Sequence, residues 1–344
     1  MRYDSSTFGV IALAAYQPDW ELFKTQLRSI QSQTHSQFQC LISADGGFAE
    51  IRDFVDREFG GDERFRVLGF EERLGFYGNF ERVLQHVPAE AAWVALSDQD
   101  DSWYPSKLEV LLPHLNDVSL VAGQARVVRL PANEVVAEST QRKNVDLGAL
   151  LAQNQVTGSL CVFQRDLLDL ALPFPRLNTV SQVHDHWLAV CAKATGGALV
   201  VDDVVQDYVQ HGGNVLGEVG GRKSIFKSIE HVAALSRKFQ GSSGPFAMLQ
   251  TANDLSFGWR RVMADALRAR VARDAPGLEH GLAGFETGHG WVPTSRVLLS
   301  GLRSGNIALP CFIEFVAGAP VEVFSRRGTR RGRSSGARST QVSR

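Results

Sequence analysis

Along the first hundred residues, short apolar runs alternate with segments whose apolar side chains recur at helical spacing. Residues 8–15 (FGVIALAA), 38–43 (FQCLIS), 65–70 and 92–96 read as strands. Residues 19–33 put Trp20, Phe23, Leu27 and Ile30 on one helical face, and residues 49–59 do the same with Ile51, Phe54, Val55 and Phe59. Residues 78–86 lie in a third helix. A β-α-β-α-β-α-β order needs a crossover between successive strands. It therefore predicts an α/β fold with a Rossmann-like, mostly parallel sheet, helices on its faces and right-handed crossovers. Ligands on such a sheet bind beyond the carboxyl ends of the strands.

Two of those ends are acidic. Asp45 follows the second strand, and Asp98, Asp100 and Asp101 follow the fourth, in ALSDQDDSWYPSK. Pro105 suits the first turn of a helix. Carboxylates crowded at a strand end repel one another unless a cation or a phosphate-bearing ligand balances them. The turn thus reads either as a hard-metal site or as a solvated acidic loop. No G-x-G-x-x-G follows the first strand and no G-x-x-x-x-G-K-[ST] occurs, which disfavours dinucleotide and P-loop readings.

Further on, residues 105–115 read as a helix, and 119–130 with 135–139 as a strand pair. Residues 146–152 and 166–171 read as short helices, Thr157-Gly158-Ser159 leads into a strand, and a helix beginning near 182–186 runs to 194. A strand at 198–201 is followed by Asp202-Asp203. Two helical stretches, 223–239 and 245–273, carry mixed charge with apolar stripes. Residues 297–324 have few charges and read as a docked terminal segment or an interfacial membrane segment. The last twenty residues hold seven Arg and no acid, leaving 29 basic against 37 acidic residues elsewhere. That composition predicts a disordered basic tail, either solvated or touching an anionic surface. The expected division is 1–221, a catalytic domain; 222–324, a mainly helical extension; and 325–344, the tail.

Cys40, Cys161, Cys191 and Cys311 are far apart, in apolar settings, and none has metal-ligand spacing. They read as buried thiols in a reducing compartment. Residues 8–15 lack the basic flank of a signal peptide, and no run reaches the roughly eighteen apolar residues of a membrane span. A cytoplasmic protein is expected, with possible peripheral placement at the inner face of the cell membrane and no nucleic-acid partner.

Seven segments occur in one order: AAYQP, ISADGG, RLGFYGNFERVL, ALSDQDDSWYPSKLE, QVTGSLCVFQRDLLDLALPFP, VHDHWLAVCAKATGG and VVQDYVQHGGNVLG. Over residues 8–217 this resembles family 2 glycosyltransferases of the GT-A (nucleotide-diphospho-sugar transferase) fold, from the group that includes bacterial rhamnosyltransferases of polysaccharide and O-antigen assembly. The resemblance implies an inverting transfer from a dTDP- or UDP-sugar to a glycan or lipid-linked acceptor, with rhamnose as the sugar and Mg²⁺ or Mn²⁺ as cofactor. It implies that Ala15 and Tyr16 line the nucleotide site and that Asp45 reads a pyrimidine base. Arg73, Gly75 and Asn79 would lie beside the nucleotide. Asp98 and Gln99 would face the donor, and the D-x-D element would give Asp100, with Asp98 and Asp101, to the metal. Thr157 and Gly158 would line the sugar pocket. His211 would sit in a loop, with Gly212, Gly213 and Asn214, that closes over the diphosphate or the metal. Asp185 would be the catalytic base, with His184 and His186 packing around it or touching sugar.

Two other readings use the same residues. A haloacid-dehalogenase-type phosphatase would use Asp98 as nucleophile, Asp100 as its partner and Asp202-Asp203 as distal acids. A non-catalytic nucleotide-sugar-binding protein would keep the pocket and lose the chemistry.

Overall fold

The computed structural model describes residues 2–4, 6–70, 72–177, 182–211, 225–272, 278–287 and 291–334. The chain forms two compact units: residues 1–146, 154–174 and 183–222, and residues 147–153, 175–182 and 223–344.

The first unit is built on β1 (Gly9–Ala15), α1 (Trp20–Gln31), β2 (Phe38–Ala44), α2 (Phe48–Phe59), β3 (Phe65–Gly69), α3 (Gly75–Gln85) and β4 (Trp93–Ser97). Asp19 caps α1 by accepting from the backbone N–H groups of Glu21 and Leu22 at 3.0 and 3.2 Å. The buried face of α1, with Phe23, Leu27 and Ile30, packs into the same core as Ile51, Phe54, Val55 and Phe59 of α2. The two helices cover a sheet whose interior strand β1, between β2 and β4, has no exposed apolar side chain.

Next come β5 (Ser102–Trp103), α4 (Lys107–Leu111), β6 (Leu120–Arg129), β7 (Glu134–Ala137), α5 (Leu147–Ala152, in the second unit), β8 (Cys161–Gln164), α6 (Leu167–Ala171), α7 (His184–Ala194) and β9 (Ala198–Gln210). The sheet order is β3-β2-β1-β4-β8-β6-β9-β5, with β7 on β6. β1, β2, β3 and β4 pair in parallel, β8 is antiparallel to β4 and β6, and β9 is parallel to β6. Six described strands therefore run one way, and β5, β7 and β8 run against them. The register sets Ala15 beside Ala44 and Leu13 beside Ser97, so β1, β2 and β4 end at one edge. β9 ends at the same edge, which brings His211 to the acidic turn.

Two expectations change. Asp202 and Asp203 do not follow a strand end: β9 continues through them to Gln210, both are exposed, and the pairing with β6 shifts register around Gly123. Distal acids for a phosphatase are therefore not in place. The turn after β4 also does not lead straight into a helix. It passes through β5, which pairs with β9 at Ser102–Asp207 and Trp103–Gln206.

The second unit is helical: α8 (Ile225–Gln240), α9 (Pro245–Asn253), α10 (Trp259–Arg270), α11 (Leu278–Leu282), α12 (Trp291–Ser304) and α13 (Leu309–Ser334). A π-helical turn, Asp254–Gly258, joins α9 to α10. Phe257, Met263, Leu267, Leu282, Leu298 and Phe315 are buried in it. Helix α13 is described ten residues into the stretch read as a tail; residues 335–344 lie outside the described residues. Among the described residues no helix is long and apolar enough to cross a membrane. Cys40, Cys161 and Cys191 are buried, Cys311 is half-buried, and none of the four forms a disulfide among the described residues.

Candidate active site

At the β1 and β4 ends, Tyr16 and Gln99 bind each other twice. The Tyr16 N–H donates to Gln99 Oε1 at 2.8 Å and Gln99 Nε2 donates to the Tyr16 carbonyl at 3.1 Å. This ties the tip of β1, beyond buried Ala15, to the acidic turn. Arg73 lays its guanidinium over the Tyr16 ring at 3.8 Å.

The three acids of the turn have different surroundings. Asp100, partly exposed, has Oδ2 2.8 Å from His211 Nε2. Asp101 is 1% exposed; its Oδ1 accepts from the Val209 N–H at 3.1 Å and its Oδ2 from Gln206 Nε2 at 2.8 Å. Burial, then the charge of Asp100, pushes the Asp101 carboxyl up to about 7. The Asp98 carboxylate accepts no hydrogen bond among the described residues; its main-chain carbonyl accepts from Ser97 Oγ at 2.9 Å. Burial first, then the charges of Asp101, Asp100 and Asp185, hold the Asp98 carboxyl well above the usual carboxylate range. The cation facing this group from inside is Lys107, fully buried, with its ammonium 3.6 Å from the Trp103 ring centroid and 2.7 Å from Gln206 Oε1, and donating also to the Ser159 carbonyl.

Two residues of the family pattern are turned inward. Asp101 has both oxygens engaged on β9. Asn79 is also turned inward, 1% exposed. Its Oδ1 accepts from Ser43 Oγ at 2.6 Å and Arg82 Nη2 at 2.8 Å, and its Nδ2 donates to the Ser43 carbonyl at 2.9 Å. Asp45, 1% exposed, accepts from the N–H groups of Leu74 and Gly75 at 2.7 and 2.8 Å and from Arg82 Nη2 at 3.0 Å. Three of the roughly four acceptor positions of a carboxylate are thus filled. Asp45 anchors the start of α3, where Gly75 takes φ +73°, and keeps at most one lone pair for a ligand.

Asp185 stands in the first turn of α7, where the helix dipole favours a negative charge. Its Oδ1 accepts from Asn154 Nδ2 at 2.9 Å and the His186 N–H at 2.6 Å, and its Oδ2 from the Gly158 N–H at 3.0 Å. Burial outweighs these donors and pushes the carboxyl up to about 6. His184 stacks on Phe80 at 3.7 Å, and neither ring nitrogen has a hydrogen-bond partner among the described residues. Burial pushes its pKa down to about 3, so the ring is neutral. A Cβ on Gly158 would lie 2.8 Å from His184 Nε2, which is why glycine follows Thr157. Thr157 Oγ1 accepts from Arg142 Nη2 at 3.2 Å.

The structure therefore gathers Tyr16, Gln99, Asp98, Asp100 and His211 at one sheet edge, with Asp185 near enough to raise Asp98. The loop residues Gly212, Gly213 and Asn214 lie outside the described residues. Lys107, Gln206 and Asn154 were not singled out from the sequence. Lys107 had a signal: it shares a helical face with buried Leu108 and Leu111. Among the described residues no three His, Cys, Asp or Glu side chains converge as a metal cage. One carboxylate and one imidazole do meet, at Asp100 and His211. That donor set fits a divalent ion completed by ligand phosphates, and the carboxylate suits Mg²⁺ or Mn²⁺.

Residues 11–161 match the model of glycosyl transferase family 2. No curated protein matches the chain. Among solved structures, S. aureus TarS 1–349 in complex with UDP-GlcNAc is similar at 13% identity, covering 94% of this chain and 92% of that one, with a TM-score of 0.49. Mannosyltransferase PcManGT from Pyrobaculum calidifontis, in complex with GDP-Man and Mn²⁺, is similar at 14% identity, covering 94% and 90%, with a TM-score of 0.46. The match to glycosyl transferase family 2 thus runs from β1 to the start of β8, the part of the mixed α/β sheet that carries the acidic turn.

Proposed function

We propose that this glycosyltransferase is inverting and metal-dependent, moving a sugar from a nucleoside-diphosphate donor to a glycan or lipid-linked acceptor, with residues 1–221 as its catalytic part. The carrying observation is one buried carboxylate, Asp185, raised to about 6 beside a strand-end turn that pairs Asp100 with His211. An acceptor hydroxyl gives its proton to Asp185 as its oxygen attacks the anomeric carbon, and the nucleoside diphosphate leaves from the opposite face. A single displacement of this kind inverts the anomeric centre. Asp185 is ionised at neutral pH yet basic enough to take a proton, the balance a general base needs. Asp100 and His211 would hold Mg²⁺ or Mn²⁺. Bound there, the ion supplies a Lewis acid for the negative charge growing on the diphosphate.

Tyr16, Gln99 and Arg73 line the nucleotide end, and Thr157 and Gly158 the sugar end. For the donor, the family resemblance favours dTDP-rhamnose, for cell-surface polysaccharide synthesis. Melting the protein against a panel of nucleotide sugars, with Mn²⁺ or with EDTA, tests the reading. One donor is expected to raise Tm only with Mn²⁺. No shift with any donor would remove it.

Placement at the cytoplasmic face of an anionic membrane is a further part of this reading. Leu309, Ile313 and Val316 lie at helical spacing on α13, 56%, 56% and 46% exposed, and seven Arg follow in the last twenty residues. Apolar insertion and cationic attraction then act together, each Arg near the surface adding about 1 kcal/mol. The protein is expected to sediment with phosphatidylglycerol vesicles and not with phosphatidylcholine vesicles, and Ile313→Asp to weaken sedimentation. Equal sedimentation with both lipids would contradict it.

A further inference from the structure

The residue next to the metal pair has no exposed surface to offer a ligand, yet it makes the contacts that bring the pair together. Asp101 reaches from the acidic turn to β9 twice, to the Val209 N–H and to the Gln206 side chain. Gln206 is fully buried and spends both ends of its amide. Its Nε2 donates to Asp101 Oδ2 at 2.8 Å and Ser159 Oγ at 2.9 Å, and its Oε1 accepts from Lys107 Nζ at 2.7 Å. Lys107 closes the chain on the Ser159 carbonyl and the Trp103 ring. β5 flanks the same contact, with Trp103 opposite Gln206 in the ladder. His211 lies just past the Val209 anchor, and Asp100 just before Asp101.

We propose that Asp101, Gln206 and Lys107 form a buried strut that docks the acidic turn on the end of β9 and so sets the Asp100–His211 spacing. Asp101 is then a positioning residue. This rests on the reading of Asp100 and His211 as the metal pair, and it deepens that reading. The strut has a fixed polarity. Asp101 must accept from Gln206, and Gln206 must accept from Lys107. Asp101→Asn sets donor against donor whichever way the amides turn. Asn Nδ2 faces Gln206 Nε2, or the Asn amide turns over and Nδ2 faces the Val209 N–H, or Gln206 turns over and presents Nε2 to the Lys107 ammonium. Adding Gln206→Glu restores the polarity. Asn Nδ2 donates to one Glu oxygen, Lys107 to the other, and the Val209 N–H still meets Asn Oδ1. Ser159 Oγ turns from acceptor to donor. One carboxylate and one ammonium remain in the strut, as before.

The test compares wild type, D101N, Q206E and the double variant, reading Mn²⁺ affinity by calorimetry with UDP present, Tm, and hydrogen exchange of amides 206–210. D101N and Q206E are each expected to weaken Mn²⁺ binding by about tenfold or more, in the range typical for groups that support metal ligands. The double variant is expected to recover most of that loss and to slow the exchange that D101N speeds up. A folded double variant as weak as D101N would overturn the strut and make Asp101 a ligand. D101N with unchanged exchange at 206–210 would also overturn it, whatever the metal does. If wild type binds no Mn²⁺, the metal reading fails, and the exchange arm still decides the strut.

Discussion

Asp185→Asn is expected to lower turnover by about 10²–10⁴-fold and leave donor affinity within about twofold of wild type. Asn keeps the size of the side chain and cannot take the acceptor proton. All three partners of Asp185, from Asn154, His186 and Gly158, are donors. The Asn oxygen can keep the first two, and its Nδ2 then faces the Gly158 N–H, so some stability is lost locally. Donor affinity, by calorimetry, separates that loss from loss of chemistry. Near-normal turnover would exclude Asp185 as base. Wild-type activity should fall as pH drops through about 6, where Asp185 takes up a proton. The stability linkage has the opposite sense. The folded value lies above the ordinary carboxylate value, so the stability this group contributes is fully present at acid pH and is lost as pH rises through about 6. A fold that placed Asp185 for stability alone would gain by keeping it solvated; its burial fits the proposed base.

Asp100→Ala should abolish the effect of Mn²⁺ on donor binding and cost turnover on the order of a hundredfold or more, the scale of a lost metal Lewis acid. It should not cost stability. The Asp100 charge is among the causes that raise both Asp98 and Asp101, so its removal eases two buried acids. Donor affinity and Tm, each with Mn²⁺ and with EDTA, check both halves. A variant that still binds donor more tightly with Mn²⁺ would move the metal elsewhere.

The alternation of apolar runs was enough to read β1 to β4, their common edge and the acids on it, because those signals are local. Asp185 was readable for the same reason: it opens a helix inside a motif. What the sequence hid depends on pairing across long separations. β5 is two residues long and exists because β9 pairs with it. Asp101 meets Gln206 across 105 positions, and no pattern near either residue shows it. Without that contact, Asp98, Asp100 and Asp101 look equivalent; with it, one faces inward as support and one faces His211. Asp45 and Asn79 were located correctly at the β2 end and on α3. Their partners, Arg82 and the N–H groups of Leu74 and Gly75, turn them toward holding α3. The 198–201 strand read too short because Asp202 and Asp203 look like a turn, whereas both lie where the pairing with β6 shifts register, and such a bulge exposes consecutive side chains without ending the strand.

The central claim is that this turn binds a nucleotide sugar through a divalent ion. Calorimetric titration of the full chain with dTDP-rhamnose and with UDP-sugars, with Mn²⁺ and then with EDTA, tests it most directly. Binding of one donor that appears with Mn²⁺ and disappears with EDTA is the expected result; equal donor affinity in both, or none in either, would contradict it.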